Sequence, residues 1–213
     1  MKNKEKEKLW LTKVKEFSKI RNWKFKSYFI FKVIDNLYFA SNFFIDPKGN
    51  SISVWIEYKT VNIDNVFWDI IGEQANKNMP LSFRGEAAFC VSGLSFYEHK
   101  ILLADELNPE SEINELLLLI DRAVTTKANE VKTLTDFRNE MLQNEKRNTV
   151  GVITSFIEQG QFNNALMKIA EHKEQKLSSG FGFGDKDFYD LAKEFCEENL
   201  QPTLGFVQVG QTE

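Results

Sequence analysis

The chain has 213 residues, 42% hydrophobic and 13% aromatic, with a formal net charge of −4. That much apolar matter fills a full core and excludes whole-chain disorder. The opening MKNKEKEKLW is charged where a secretory signal needs an apolar segment, and no run approaches the ~18 to 20 apolar residues of a membrane span, so no membrane association and a cytoplasmic protein are expected.

The charge is unevenly spread. Residues 1–35 hold 11 basic against 4 acidic side chains, and the rest holds 16 against 27. Such a split orients a partner by its field and points to an acidic protein partner. The two cysteines, Cys90 and Cys196, lie in apolar contexts far apart and read as small core residues of a reducing compartment.

In chain order, Trp10, Val14, Phe17 and Ile20 recur at helical spacing, predicting an amphipathic helix over 5–20 that Asn22 stops. The period then changes to two. Trp23, Phe25, Phe29, Phe31 and Val33 form the buried parity of one strand, and Lys24, Lys26, Tyr28, Ile30 and Lys32 the partly wet one. Asp35–Asn36 and Asp46–Asn50 are turn signals that lead into strands over 37–45 and about 52–58. Asp64 or Asn65 is expected to cap a short helix carrying Val66, Phe67, Ile70 and Ile71. The segment MPLSFRGEAAFCVSGLSFYEHKILL reads as a return to extended structure. From Pro109 the apolar spacing runs to Met141 and predicts a single helix of about 35 residues, apolar nearly all round at Leu116–Leu119. Its leucine level needs a cover, either the C-terminal helices or a second copy, which makes a homo-oligomer through this helix a candidate. Three further helices are expected at about 149–159, 163–177 and 186–199, and residues 202–213 read as a late strand or a tail.

The stretch LSSGFGFGDKDF is the chain's most conspicuous motif. A phosphate loop needs a preceding strand, and Asp185 and Asp187 would stand where phosphate sits. A calcium loop needs Gly at its sixth position and Glu at its twelfth, which here are Asp190 and Cys196. The remaining reading is a joint, with Gly180, Gly182 and Gly184 making a turn and Phe181 and Phe183 folding back on apolar surface. His99 and His172, never in ligand spacing, read as surface residues. No catalytic residue, metal site or cofactor is expected.

The candidate binding surface is Lys24, Lys26, Tyr28 and Lys32 on one strand face, with Trp55 and Glu57 on another strand. Basic side chains with an aromatic in the row also suit a stacking surface for nucleic acid, but an acidic remainder argues against it. Glu57, Arg84 and Glu86 could converge in a carboxylate cleft, which is the enzyme alternative; cross-strand ion pairs are the plainer reading.

Two resemblances add to this. FIEQGQFNNALMKIAEH looks like the turn of a tetratricopeptide-type helical hairpin, with Gly160 at the crossing and Phe162, Ala165 and Leu166 at the junction. It implies one docked hairpin over Val150–Lys176, since a repeat stack needs about three units. The lysine-rich first helix, the meander WKFKSYFIFKVIDNLYFASNFFIDPKGNSISVWIEYK, and FWDIIG leading to MPLSFRGEAAF resemble a group of small bacterial α+β domains of unknown function, some of the contact-toxin immunity type. That resemblance implies a binding protein and carries no residue roles.

The expected fold is therefore α+β: an antiparallel sheet of four to five strands packed on the first and the long helix (1–145), followed by a helical C-terminal subdomain (146–213). The expected function is that of a non-catalytic protein-interaction factor of the immunity, antitoxin or phage-defence kind.

Overall fold

The computed structural model describes residues 2–85, 89–105 and 107–200. The fold is α+β. Helix α1 (Asn3–Ile20) leads into a five-stranded antiparallel meander of β1 (Lys24–Lys26), β2 (Phe29–Ile34), β3 (Leu37–Asp46), β4 (Ser51–Thr60) and β5 (Leu94–Leu102), lying side by side in chain order. Helix α2 (Val61–Ile70) and two 3₁₀ turns, Gln74–Asn78 and Leu81–Gly85, intervene between β4 and β5. Helices α3 (Glu110–Glu130), α4 (Leu134–Gln143), α5 (Thr149–Glu158) and α6 (Phe162–Glu174) follow. A two-stranded hairpin, β6 (Gly182–Phe183) with β7 (Lys186–Asp187), leads into α7 (Phe188–Leu200).

One face of the sheet, the inner one, carries Ile30, Phe39, Phe43, Ile52, Val54, Ile56 and Tyr58 against helices α1, α3 and α4. Trp10 and Val14 of α1 and Leu116, Leu117, Ile120 and Val124 of α3 are fully buried there. Removing a Leu or Ile from such a site costs about 2–5 kcal/mol, so this layer dominates stability. Val152, Ile153, Ile157, Phe188, Ala192 and Cys196 belong to the same cluster, so the core runs without a break from the sheet into the C-terminal helices, which dock on α2 and α4. Burial pushes the Cys196 thiol up to about 11.

Several elements depart from the sequence reading, each for a local reason. The predicted first strand is a hairpin. Lys24 pairs with Phe31 and Lys26 with Phe29 across the loop Ser27–Tyr28, and Ser27 takes a left-handed conformation (φ 52°). Ile30 is fully buried on the inner face, whereas Phe29 and Phe31 are buried on the outer face with Tyr38, Ala40, Val61 and Leu81. Both faces of β2 are therefore covered, and alternation does not mark the wet side.

The single long helix is two, α3 and α4. Val131 leaves helical geometry, and Thr133 restarts the chain with a capping box: its hydroxyl accepts from Asp136 N at 3.1 Å while the Asp136 carboxylate accepts from Thr133 N at 2.8 Å. Those bonds hold the Asp136 carboxyl below its usual range. The leucine level of α3 is covered by α1 and the sheet, with Leu116 and Leu117 fully buried and Leu118 outward.

Residues 81–85 form a 3₁₀ turn where a strand was expected, and the extended chain resumes only at Leu94. Asp64 is not a cap: Thr60 precedes α2, and Asp64 lies fully buried within it. The GFGFG stretch is the β6–β7 hairpin. Phe181 packs edge-on against Phe67 at 5.0 Å, while Phe183 faces outward. His172 is 1% exposed, with Nε2 2.7 Å from Glu145 Oε1 and its ring against Tyr189, so it is a core residue. Burial pushes the Glu145 carboxyl up, but His172 and Lys168 beside it outweigh that and hold it low. The final 202–213 segment expected as a strand or tail lies outside the described residues.

Candidate binding surfaces

The six residues expected to bind lie in four places. Lys24 and Lys26 pair with outer-face Phe31 and Phe29, so their exposed side chains stand on the outer side of β1. Lys32 stands on the inner side, across from Phe39. Its ammonium is 3.1 Å from Asp121 Oδ1 and lies 4.7 Å over the ring of Trp23, whose indole N–H donates to the same carboxylate at 2.8 Å. Arg21 reaches Asp121 as well, at 3.3 Å. Lys32 thus ties β2 to α3 and is no part of a face with Lys24 and Lys26. Tyr28, in the β1–β2 loop, is 48% exposed and donates its hydroxyl to Glu7 at 2.7 Å, which raises the pKa of the phenol.

Trp55 and Glu57 share the outer face of β4 with Lys59. Glu57 borders a cavity of about 150 Å³ between the outer face and residues 84–85 and 91–93, lined by Tyr38, Ala40, Asn42, Lys59, Arg84 and Gly93 among others. Desolvation pushes the Glu57 carboxyl up, and Lys59 only partly offsets this. The two cations here are engaged elsewhere. Lys59 Nζ is 2.9 Å from Asp64 Oδ2 and donates to Val91 O at 2.8 Å; Arg84 donates to Val61 O at 2.8 Å and to Asn65 Oδ1 at 2.9 Å, lies 3.4 Å from Asp64, and stacks over Trp68. Asp64 also accepts from Val91 N at 2.9 Å. This is a buried charged hub that ties β4, α2, the Leu81–Gly85 turn and the Val91 segment together. Glu57 and Arg84 do meet at one cavity, as the cleft reading required, but Glu86 lies outside the described residues and both cations already hold buried partners.

A second concavity was not foreseen. Between α1 and the β1–β2 hairpin runs an open groove of about 410 Å³, lined by Lys4, Glu7, Lys8, Leu11, Thr12, Lys15, Phe25, Ser27 and Tyr28. Lys4, Lys8, Leu11 and Lys15 follow at steps of four, three and four, which puts them on one side of the helix, about a quarter turn round from the stripe of Trp10, Val14 and Ser18 that enters the core. That spacing was readable; what hid the groove was the second wall, which exists only because the chain turns back at Ser27. Phe25 and Leu11 give it a half-buried apolar floor. Lys13 pairs with Glu110 at 2.8 Å and Arg21 and Lys32 share Asp121, whereas Lys4, Lys8 and Lys15 make no ion pair among the described residues. The internal pairs thus absorb part of the N-terminal basic surplus, and three of the other lysines, Lys4, Lys8 and Lys15, line this groove.

Comparisons of the chain with models of known families, with curated protein sequences and with solved structures find no match.

Proposed function

We propose that this chain is a non-catalytic protein-interaction factor that holds an acidic segment of a partner protein in the groove between α1 and β1. The observation that carries the reading is the set of three exposed lysines, Lys4, Lys8 and Lys15, that make no ion pair among the described residues and are ranged along an apolar floor of Leu11, Phe25 and Tyr28. Such a groove suits an extended segment with alternating carboxylates and apolar side chains: the charges guide encounter, and desolvation of the apolar groups holds the complex. Glu7 in the same groove and the narrow extent of the basic field favour a protein over a nucleic acid, whose phosphates need positive charge along the whole footprint. The enzyme reading has less support, because Lys59 and Arg84 are bound to Asp64 and to main-chain carbonyls and Glu57 has no second carboxylate beside it among the lining residues. An immunity, antitoxin or phage-defence factor is the form of this reading to which the layout resemblance points. Action in the cytoplasm accords with Cys90 and Cys196 forming no disulfide, and among the described residues no helix is long and apolar enough to cross a membrane.

The test is fluorescence anisotropy with a labelled peptide of alternating Glu and Leu, and a Lys-Leu peptide as control. Wild type should bind the acidic peptide alone, and Lys8→Glu with Lys15→Glu should weaken binding by about tenfold or more while leaving the fold intact, since exposed positions usually alter stability by less than about 0.5 kcal/mol. Equal affinity of wild type and double variant would remove the groove from the account.

A further inference from the structure

Strand β5 closes one side of the sheet, and its outer edge is open. It pairs with β4 alone, and among the described residues no hydrogen bond reaches that edge between Tyr97 and Ile101. Exposure shows the same. Ile52 and Ile56 of β4 are fully buried, while Ile101 and Tyr97, their partners one strand further out on the same inner face, are only half-buried. A long unpaired edge is a template for a further strand, and monomeric proteins blunt such edges with Pro, a bulge or charged side chains, unless those charges find opposite partners across the new pairing. In β5 the irregularity sits at Phe96, ahead of the open stretch, and Tyr97–Leu102 runs regularly without Pro.

The charges on this stretch are of opposite sign. Glu98 and Lys100 stand two residues apart, both exposed, both on the outer face beside Trp55 and Ser53. We propose that β5 pairs antiparallel with β5 of a second copy about a two-fold axis through His99, making one continuous ten-stranded sheet. An isologous pairing must place residue i against j and j against i, and in an antiparallel pair the opposed residues share a face. These two conditions restrict the register. An axis through Glu98 or through Lys100 sets that charge against its own copy. An axis through His99 sets Glu98 against Lys100 of the second copy, twice, and on the inner face sets Tyr97 against Ile101, twice. Opposite charges and aromatic–β-branched pairs are the favourable cross-strand combinations, and both occur here in the same register. The half-buried Tyr97 and Ile101 would be covered in the process. This inference stands apart from the groove, which lies at the opposite edge of the sheet beside β1.

Sedimentation velocity of the full chain tests it. Wild type at about 100 µM, where even a weak strand pairing is populated, should sediment as a dimer of the 24.7 kDa chain. Lys100→Glu and Glu98→Lys each oppose like charges twice and should weaken dimerisation by about tenfold or more. The double variant Glu98→Lys with Lys100→Glu restores the pairs in reverse and should dimerise like wild type. Its recovery also shows that neither substitution acts by misfolding. A wild type that stays monomeric, single variants that dimerise unchanged, or a double variant that stays monomeric like the singles would each overturn the pairing.

Discussion

Gly184 lies in the left-handed region (φ 67°) in the two-residue loop between β6 and β7, with open space where a side chain would go. Gly182, within β6, has no such conformation, and a Cβ added to it would make ordinary contact with the Lys186 carbonyl at 3.4 Å. Gly184→Ala should therefore cost roughly 1 kcal/mol and Gly182→Ala much less, although both are glycines of one repeat. Urea midpoints of the two variants decide this, and equal losses would count against the loop geometry. The sequence identified this stretch as a turn, but alternate glycines do not say which one must turn. At Lys32 the difficulty was similar: a lysine in a strand reads as outward, and only the fold brings Asp121 and Trp23 to it.

Among the elements, α2 shows how a single buried acid decides local architecture. Asp64 is fully buried, and Lys59 and Arg84, 3% and 7% exposed, both direct charge at it. Asp64→Asn leaves two buried cations without a counter-charge and should cost about 3–5 kcal/mol in chemical unfolding, since breaking a buried pair from one side is far worse than replacing both partners. Asp69→Asn is the control in the same helix. Its pair with Lys77 is about a third exposed and should be worth less than about 1 kcal/mol. Losses of similar size would mean the hub does not organise this region. Helix positions, the β2–β3 and β3–β4 turns and the Gly160 crossing were legible because each rests on local spacing or a residue with a special backbone preference. The break between α3 and α4 was written in Thr133 and Asp136, yet the apolar spacing continues through it and masks the cap. Residues 81–85 were misread because Leu81 packs on the outer-face Phe29 and Phe31 and Phe83 on Trp68, instead of on neighbouring strands.

For the whole molecule, the sequence showed an excess of positive charge at the N-terminus, and the structure divides it. One part, through Lys13, Arg21 and Lys32, is bound internally to Glu110 and Asp121, joining α1 and the hairpin to α3; Lys4, Lys8 and Lys15 face the groove, and Lys24 and Lys26 stand on the outer side of β1. A count along the chain cannot make that division, because the partners are some 90 residues away in sequence. A field of this kind acts mainly on encounter, and at about 0.15 M salt its reach is already near 8 Å. The most direct test is therefore the stopped-flow association rate of the Glu-Leu peptide with wild type and with Lys8→Glu, Lys15→Glu, at low and high salt. The account predicts wild type to associate about tenfold or more faster at low salt, with the gap closing as salt rises. Equal rates at low salt would contradict it and leave these lysines as a solvated helix face.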